Sequence, residues 1–117
     1  MFIIYLYQKC STCRDAIKWL DAHGVPYTTK PIRETPPSRA ELEAALQLME
    51  GNIRRLFNTS GMDYRAQGLA ERLPGMTDDE AITLLAGNGN LVKRPFVIGN
   101  ATALTGFKPD VWSKALL

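Results

Sequence analysis

The two cysteines of the chain, Cys10 and Cys13, lie three positions apart, directly after an apolar run that ends at Tyr7. A helical pattern begins at Ser11, so the first sulfur lies where a strand gives way to a helix. Unpaired backbone N–H groups and the positive end of the helix dipole at such a position favour the thiolate form. The second sulfur follows about one helical turn later, a spacing that lets the pair form a disulfide reversibly. The pair therefore predicts redox chemistry.

We predict that Cys10 is the nucleophile and that Cys13 is the resolving thiol. A nucleophilic cysteine needs exposure and an electropositive setting, and Lys9 and Arg14 flank the start of the helix. Cys13 falls on the apolar stripe of the helix, and partial burial suits a thiol that only its neighbour must reach. The alternative for each cysteine is a small buried apolar residue. Zinc would need two further ligands, and the only histidine, His23, lies farther along the helix, so we expect no metal site.

The elements that must position this pair follow an α/β order. A strand, a crossover helix and a second strand form a β-α-β unit, in which the two strands run parallel. A hairpin near the end of the chain then completes a mixed four-stranded sheet. In chain order the predicted elements are a strand over 2–7, a helix over 11–23, a strand over 25–30, a helical insert over about 38–87, strands over 96–98 and 102–104 and a helix over 109–117.

Length and composition bound the class of protein. We predict a single domain over residues 1–117, since a chain of 117 residues can bury a core without disulfide staples. The net charge of +2 is small and acidic residues interleave with the basic ones, so we expect no direct binding of nucleic acid. The first apolar run is too short for a signal peptide or a membrane span. We therefore expect a cytoplasmic monomer without membrane contact.

Four segments spread over the chain carry a resemblance to a known family. They are residues 7–14 (YQKCSTCR), 57–65 (FNTSGMDYR), 91–96 (LVKRPF) and 106–107 (GF). Together they resemble the arsenate-reductase-like family (ArsC, Spx and MgsR types) of the thioredoxin-like superfamily, which includes glutaredoxin-dependent arsenate reductases and Spx-type transcriptional regulators. The resemblance implies a thioredoxin-like fold over nearly the whole chain. It also implies that Pro95 is a cis-proline facing the active cysteine and that Pro95, Ser11 and Thr12 shape the site.

The resemblance assigns an anion-binding role to Arg94. The family's reductases attack an oxyanion with a cysteine at the position of Cys10 and hold that anion with three arginines. Arg94 matches one of them, whereas Asn58 stands where the second would be and the third maps near Thr105. These reductases also usually lack a cysteine at the position of Cys13 and recruit glutathione instead. The departures favour dithiol–disulfide chemistry over arsenate reduction, with Arg94 as a catalytic residue; its alternative is a solvated surface charge.

Two classes of function are consistent with these residues. The first is a thiol–disulfide oxidoreductase without a bound cofactor, recycled by glutathione or by a thioredoxin or glutaredoxin protein. Arsenate reduction with the same reductants is an alternative within this class. The second is an Spx-type redox-sensing transcriptional regulator, whose surface docks on the alpha subunit of RNA polymerase. The C-terminus leaves little room for the extended tail of many such regulators, so we expect an enzyme.

Overall fold

The computed structural model describes residues 1–117 and contains a mixed four-stranded sheet with six α-helices. Three short 3-10 turns, at Ile53–Leu56, Leu73–Gly75 and Gly89–Leu91, connect some of the helices and strands. No helix is long and apolar enough to cross a membrane. The elements are β1 (Phe2–Leu6), α1 (Ser11–Ala22), β2 (Tyr27–Pro31), α2 (Arg39–Leu48), α3 (Met62–Ala66), α4 (Leu69–Arg72), α5 (Asp78–Gly87), β3 (Phe96–Gly99), β4 (Thr102–Thr105) and α6 (Pro109–Leu116).

β1 is an inner strand of the sheet, whose order is β2-β1-β3-β4. It pairs in parallel with β2, with Leu6 opposite Pro31, and antiparallel with β3, with Tyr5 opposite Phe96. β3 and β4 form an antiparallel hairpin. The inner position agrees with the continuous apolar character of β1, because such a strand is covered on both faces. The predicted α/β, thioredoxin-like arrangement with a mixed sheet is confirmed.

Successive residues of β1 supply core side chains to opposite faces of the sheet. Ile4 packs with Trp112 and with the inner face of α1, whereas Tyr5 packs into a larger core beneath α2 to α5. Residues 38–87, predicted as a helical insert, contain these four helices. Capping boxes begin α2 and α5, where Ser38 pairs with Glu41 and Thr77 with Glu80. The larger core includes Leu42, Ala45, Phe57, Ile82 and Leu85.

The second strand differs from its predicted bounds. It was expected over 25–30 but begins at Tyr27 and ends at Pro31. The N–H of Val25 donates to the carbonyl of Leu20, so Val25 still belongs to the turn that leaves α1. Gly24 allows this turn with a φ of 66°, in the left-handed region. The β-branched and aromatic residues after Pro26 then form the strand.

Candidate active site

One end of the sheet collects residues that are far apart in the sequence. Because β1 is antiparallel to β3, the residues that follow β1 lie beside those that precede β3. Because β1 is parallel to β2, the residues that follow these two strands also emerge side by side. Cys10 follows β1, Arg94 precedes β3 and Arg33 follows β2. The topology therefore brings a sulfur and two guanidinium groups to the same end of the sheet.

Cys10 is the N-cap residue of α1. Its backbone is extended (φ −93°, ψ 114°), and its N–H donates to the carbonyl of Tyr7 at 3.0 Å, which closes the turn after β1. The Sγ atom of Cys10 accepts a hydrogen bond from the N–H of Cys13 at 3.3 Å. This donor and the helix dipole both stabilise negative charge on the sulfur. Since Cys10 is only half-buried, a substrate can reach this sulfur.

Cys13 lies in the first turn of α1 and is buried. Burial raises the pKa of the Cys13 thiol to about 12, and the hydrogen bond and charge of Cys10 act in the same direction. The backbone of Tyr7 and the positive charge of Arg94 act to lower the pKa of Cys13, but they are outweighed. Cys13 is therefore protonated at neutral pH. The two cysteines are free in this structure, and a half-buried Cys10 lies beside a buried Cys13.

Arg94 and Pro95 form the segment that leads into β3. Their peptide bond is cis, as the family resemblance implies, and Pro95 is buried. The carbonyl of Pro95 accepts a hydrogen bond from the N–H of Gly106 at 3.0 Å, which attaches the segment to the end of β4. Arg94 is half-buried, and the chain's two ion pairs both involve Arg39 instead. The guanidinium of Arg94 therefore has no carboxylate partner in the protein.

Tyr7 and Arg33 belong to the site, although no sequence pattern indicated a role for either of them. The guanidinium carbon of Arg33 lies 4.5 Å from the centroid of the Tyr7 ring, and that of Arg94 lies 5.0 Å from it. Such cation–π contacts are worth about 0.5–1 kcal/mol each at exposed positions. Arg33 also donates from Nε to Oδ1 of Asn90 at 2.7 Å. The parallel pairing of β1 with β2, which the sequence predicted, was the signal that could have identified Arg33.

A polar cleft of about 330 Å³ opens beside the Tyr7 ring. Asn58 lines it together with both arginines, whereas Thr105, which the family resemblance pairs with Asn58 as a position for an anion-binding arginine, does not. The hydroxyl of Thr105 donates instead to the backbone carbonyl of Arg55 at 2.8 Å. The cleft can hold an anionic group through two guanidiniums. Its full lining is Tyr7, Arg33, Asn58, Gly61, Met62, Asp63, Asn90 and Arg94.

Ser11 and Thr12 lie between the two cysteines in the first turn of α1, and both are exposed. The chain has no group of three or more His, Cys, Asp and Glu side chains placed to hold a metal ion. Of the residues predicted to act together, the fold brings Cys10, Cys13 and Arg94 to one site.

Comparisons with known proteins identify relatives of both functional classes. A family model described as the ArsC family matches residues 5–115. YusI, an uncharacterized protein of Bacillus subtilis (strain 168), is 44% identical over 91% of this chain and 90% of its own length. The regulatory protein MgsR of the same organism is 28% identical, covering 90% of this chain and 82% of MgsR. The crystal structure of a possible arsenate reductase from Streptococcus mutans UA159 is 37% identical, with a TM-score of 0.86 over 92% of each chain.

Proposed function

Because the chain belongs to the ArsC family of thioredoxin-like proteins, we propose that it is a thiol–disulfide oxidoreductase that uses its own pair of cysteines. The observation that carries this proposal is the asymmetry of the two sulfurs. Cys10 is accessible and accepts a backbone hydrogen bond at the start of α1. Cys13 is buried, and its pKa is raised to about 12. An attacking sulfur and a protected resolving thiol need these two environments.

In the first step the Cys10 thiolate attacks one sulfur of a substrate disulfide. A mixed disulfide forms at Cys10, the substrate's own S–S bond breaks, and the first substrate thiolate leaves. Cys10 then carries no negative charge, so its contribution to the raised pKa of Cys13 is removed. The backbone of Tyr7 and the charge of Arg94, which lower the pKa of Cys13, remain in place. The mixed disulfide thereby removes one contribution to the raised pKa of Cys13, while burial, the largest cause, still acts on this thiol.

In the second step Cys13 gives its proton to the departing thiolate and attacks Sγ of Cys10. The bond between Cys10 and the substrate breaks, the second substrate thiol leaves, and Cys10 and Cys13 form an intramolecular disulfide. Two electrons have passed from the cysteine pair to the substrate. An external thiol, either glutathione or a thioredoxin or glutaredoxin protein, must return them. This requirement is the reason that we propose a reducing compartment, the cytoplasm, for the protein.

The proposal is tested by trapping the intermediate. Cys13→Ser removes the resolving thiol, so incubation with oxidised glutathione or with hydroxyethyl disulfide should leave a stable adduct on Cys10, visible as an added mass. The matched variant Cys10→Ser should form no adduct at neutral pH, and the wild type should pass through the adduct to an intramolecular disulfide. The proposal fails if Cys13→Ser forms no adduct with any disulfide substrate.

Two other functions have specific support. Arsenate reduction is favoured by the two guanidiniums of the polar cleft and by the similarity to the possible arsenate reductase of Streptococcus mutans. Arsenate-dependent oxidation of the reduced pair of cysteines would establish this activity.

A redox-sensing regulator is favoured by the similarity to MgsR. Specific retention on the C-terminal domain of the RNA polymerase alpha subunit, changing with the oxidation state of Cys10 and Cys13, would identify the regulator.

A further inference from the structure

The free edge of the sheet is formed by β4, and part of its backbone is unpaired. The N–H of Gly106 donates to the carbonyl of Pro95, which fixes the alternation of hydrogen-bonded pairs along the hairpin. By that alternation the backbone groups of Ala103 and Thr105 point away from β3. Neither residue makes a backbone hydrogen bond outside the strand ladder. The backbone N–H and C=O groups of Ala103 and Thr105 are therefore available to pair with another strand.

A groove of about 220 Å³ follows this edge and has an apolar wall on each side. The end of α2 supplies Leu48 on one side, and α6 supplies Val111 on the other. Leu48 is 47% exposed and Val111 is 43% exposed, which places them among the five exposed large hydrophobic residues of the chain. The apolar walls can accept a side chain from a strand that pairs with β4.

Three cations line the same groove, and no acidic residue does. They are Arg55, Lys93 and Lys108, which are all exposed. The chain's two ion pairs both involve Arg39, so these three charges have no partner within the protein. Lys93 lies close against Gly106, where a Cβ atom would come within 3.0 Å of its Cε atom. The groove is therefore a cationic surface around an unpaired strand edge.

We propose that this β4 edge groove, defined by Leu48, Arg55, Lys93, Ala103, Thr105, Lys108 and Val111, binds an extended acidic segment of a partner protein. The segment pairs its backbone with Ala103 and Thr105 and places an apolar side chain between the two walls. Its carboxylates face the three cations. Addition of a strand to a sheet edge supplies affinity through backbone hydrogen bonds, while charge complementarity selects the partner.

Two other occupants fit the groove less well. A second copy of the chain, paired through β4, would bring three cations close to three cations, and charge at an edge prevents such pairing. A nucleic acid would satisfy the cations but would leave the apolar walls and the alternating backbone groups of Ala103 and Thr105 unused. An acidic peptide strand is the occupant that uses every feature of the groove.

The test uses the full chain carrying Cys10→Ser, so that thiol chemistry does not contribute. The probe is a fluorescein-labelled peptide of seven residues in which glutamate and valine alternate, and binding is measured by fluorescence anisotropy. We expect saturable binding, together with shifts of the Ala103 and Thr105 amide signals in NMR spectra. Lys93→Glu combined with Lys108→Glu should weaken binding by about tenfold or more. The matched charge reversals Lys18→Glu and Lys114→Glu, at exposed lysines outside the groove, should change it by less than about twofold.

Control ligands separate the proposal from the other occupants. The same peptide with lysine in place of glutamate should not bind, and N-methylation of its edge-pairing amides should weaken binding because backbone donors are lost. The proposal is overturned if the acidic peptide does not bind, if an oligothymidylate binds as tightly, or if the amide shifts lie away from β4. It is also overturned if sedimentation shows that the free chain dimerises through this edge and that the peptide does not displace the partner.

Discussion

The N–H of Cys13 donates to Sγ of Cys10 at 3.3 Å, while the thiol of Cys13 is itself buried. The backbone of Cys13 thus stabilises negative charge on the Cys10 sulfur, while the Cys13 sulfur itself is shielded from solvent. Both effects arise from a single helical turn, because the N-cap side chain lies over the N–H groups of the residues that follow it. The same turn therefore places the two cysteines in different chemical environments.

The first prediction concerns the order in which the two cysteines react. Iodoacetamide at pH 7 should modify Cys10 well before Cys13, because a thiol with a pKa of about 12 is ionised in only about one molecule in 10⁵ at that pH. A raised pKa means that the folded state favours the thiol form, so this protection is present at neutral pH and is lost as the pH rises toward 12. Peptide mapping by mass spectrometry measures the ratio of alkylated Cys10 to alkylated Cys13.

In urea both cysteines lose their environments, and their alkylation rates should converge. The Cys13→Ala variant tests whether Cys10 reacts without a second thiol, since the backbone donor is retained. Faster modification of Cys13 than of Cys10 in the folded chain would contradict the assignment of roles.

The second prediction concerns Arg94. Replacing it by methionine keeps most of the apolar volume but removes the positive charge that acts to lower the pKa of Cys13. We expect disulfide exchange with hydroxyethyl disulfide to slow by about fivefold to thirtyfold, the equivalent of about 1–2 kcal/mol for a charge of this kind. Arg54→Met, at an exposed arginine that does not line the polar cleft, should leave the rate unchanged. If Arg94→Met and Arg54→Met exchange disulfides at the same rate, the charge of Arg94 does not contribute to the reaction.

The third prediction concerns Arg33, which the fold brings beside Tyr7 at the edge of the polar cleft. If its guanidinium binds anionic groups of the substrate, Arg33→Met should raise KM for oxidised glutathione about tenfold while leaving kcat nearly unchanged. The neutral hydroxyethyl disulfide should show no such change, because it has no carboxylate to bind. A loss of kcat with both substrates would mean that Arg33 supports the structure of the site and does not bind substrate.

The fourth prediction concerns Gly89, in the short turn that precedes the segment leading to Arg94. A Cβ atom at this position would lie 1.8 Å from the backbone carbonyl oxygen of Ile32, so no side chain fits without moving the backbone. Gly89→Ala should lower the free energy of unfolding by about 2–3 kcal/mol, as overpacking against a rigid backbone does. Urea denaturation measures this loss.

Gly87→Ala is the matched control, since a Cβ atom there meets nothing within 4 Å. Its free energy of unfolding should change by less than about 1 kcal/mol. Because Ile32 precedes Arg33, and Asn90 follows Gly89, the Gly89→Ala variant should also disturb the bond between Arg33 and Asn90. If both variants were equally stable, this close backbone contact would not contribute to holding the cleft.

Much of the fold could be predicted from local patterns. The capping boxes at Ser38 and Thr77, the turn at Gly24 and the hairpin after β3 all depend on residues within a few positions of one another. The parallel pairing of β1 and β2 was predictable because a crossover helix of this length leads to a parallel strand. The predicted start of β2 was wrong by two residues. The N–H of Val25 donates to the carbonyl of Leu20, so Val25 belongs to the turn that follows α1.

The sequence by itself determined that Cys10 and Cys13 lie at a strand-to-helix boundary with the spacing of a redox pair, since this depends only on neighbouring residues of one short segment. The helical spacing also placed Cys13 on the apolar stripe of α1, where the structure shows it buried. Only the tertiary structure decided that Arg33 and Arg94 both contact Tyr7, and that Asn58 lines the polar cleft while Thr105 does not. Contacts between distant segments depend on how the strands pair and how the helices cover them. Residue spacing along the chain contains no measure of such contacts.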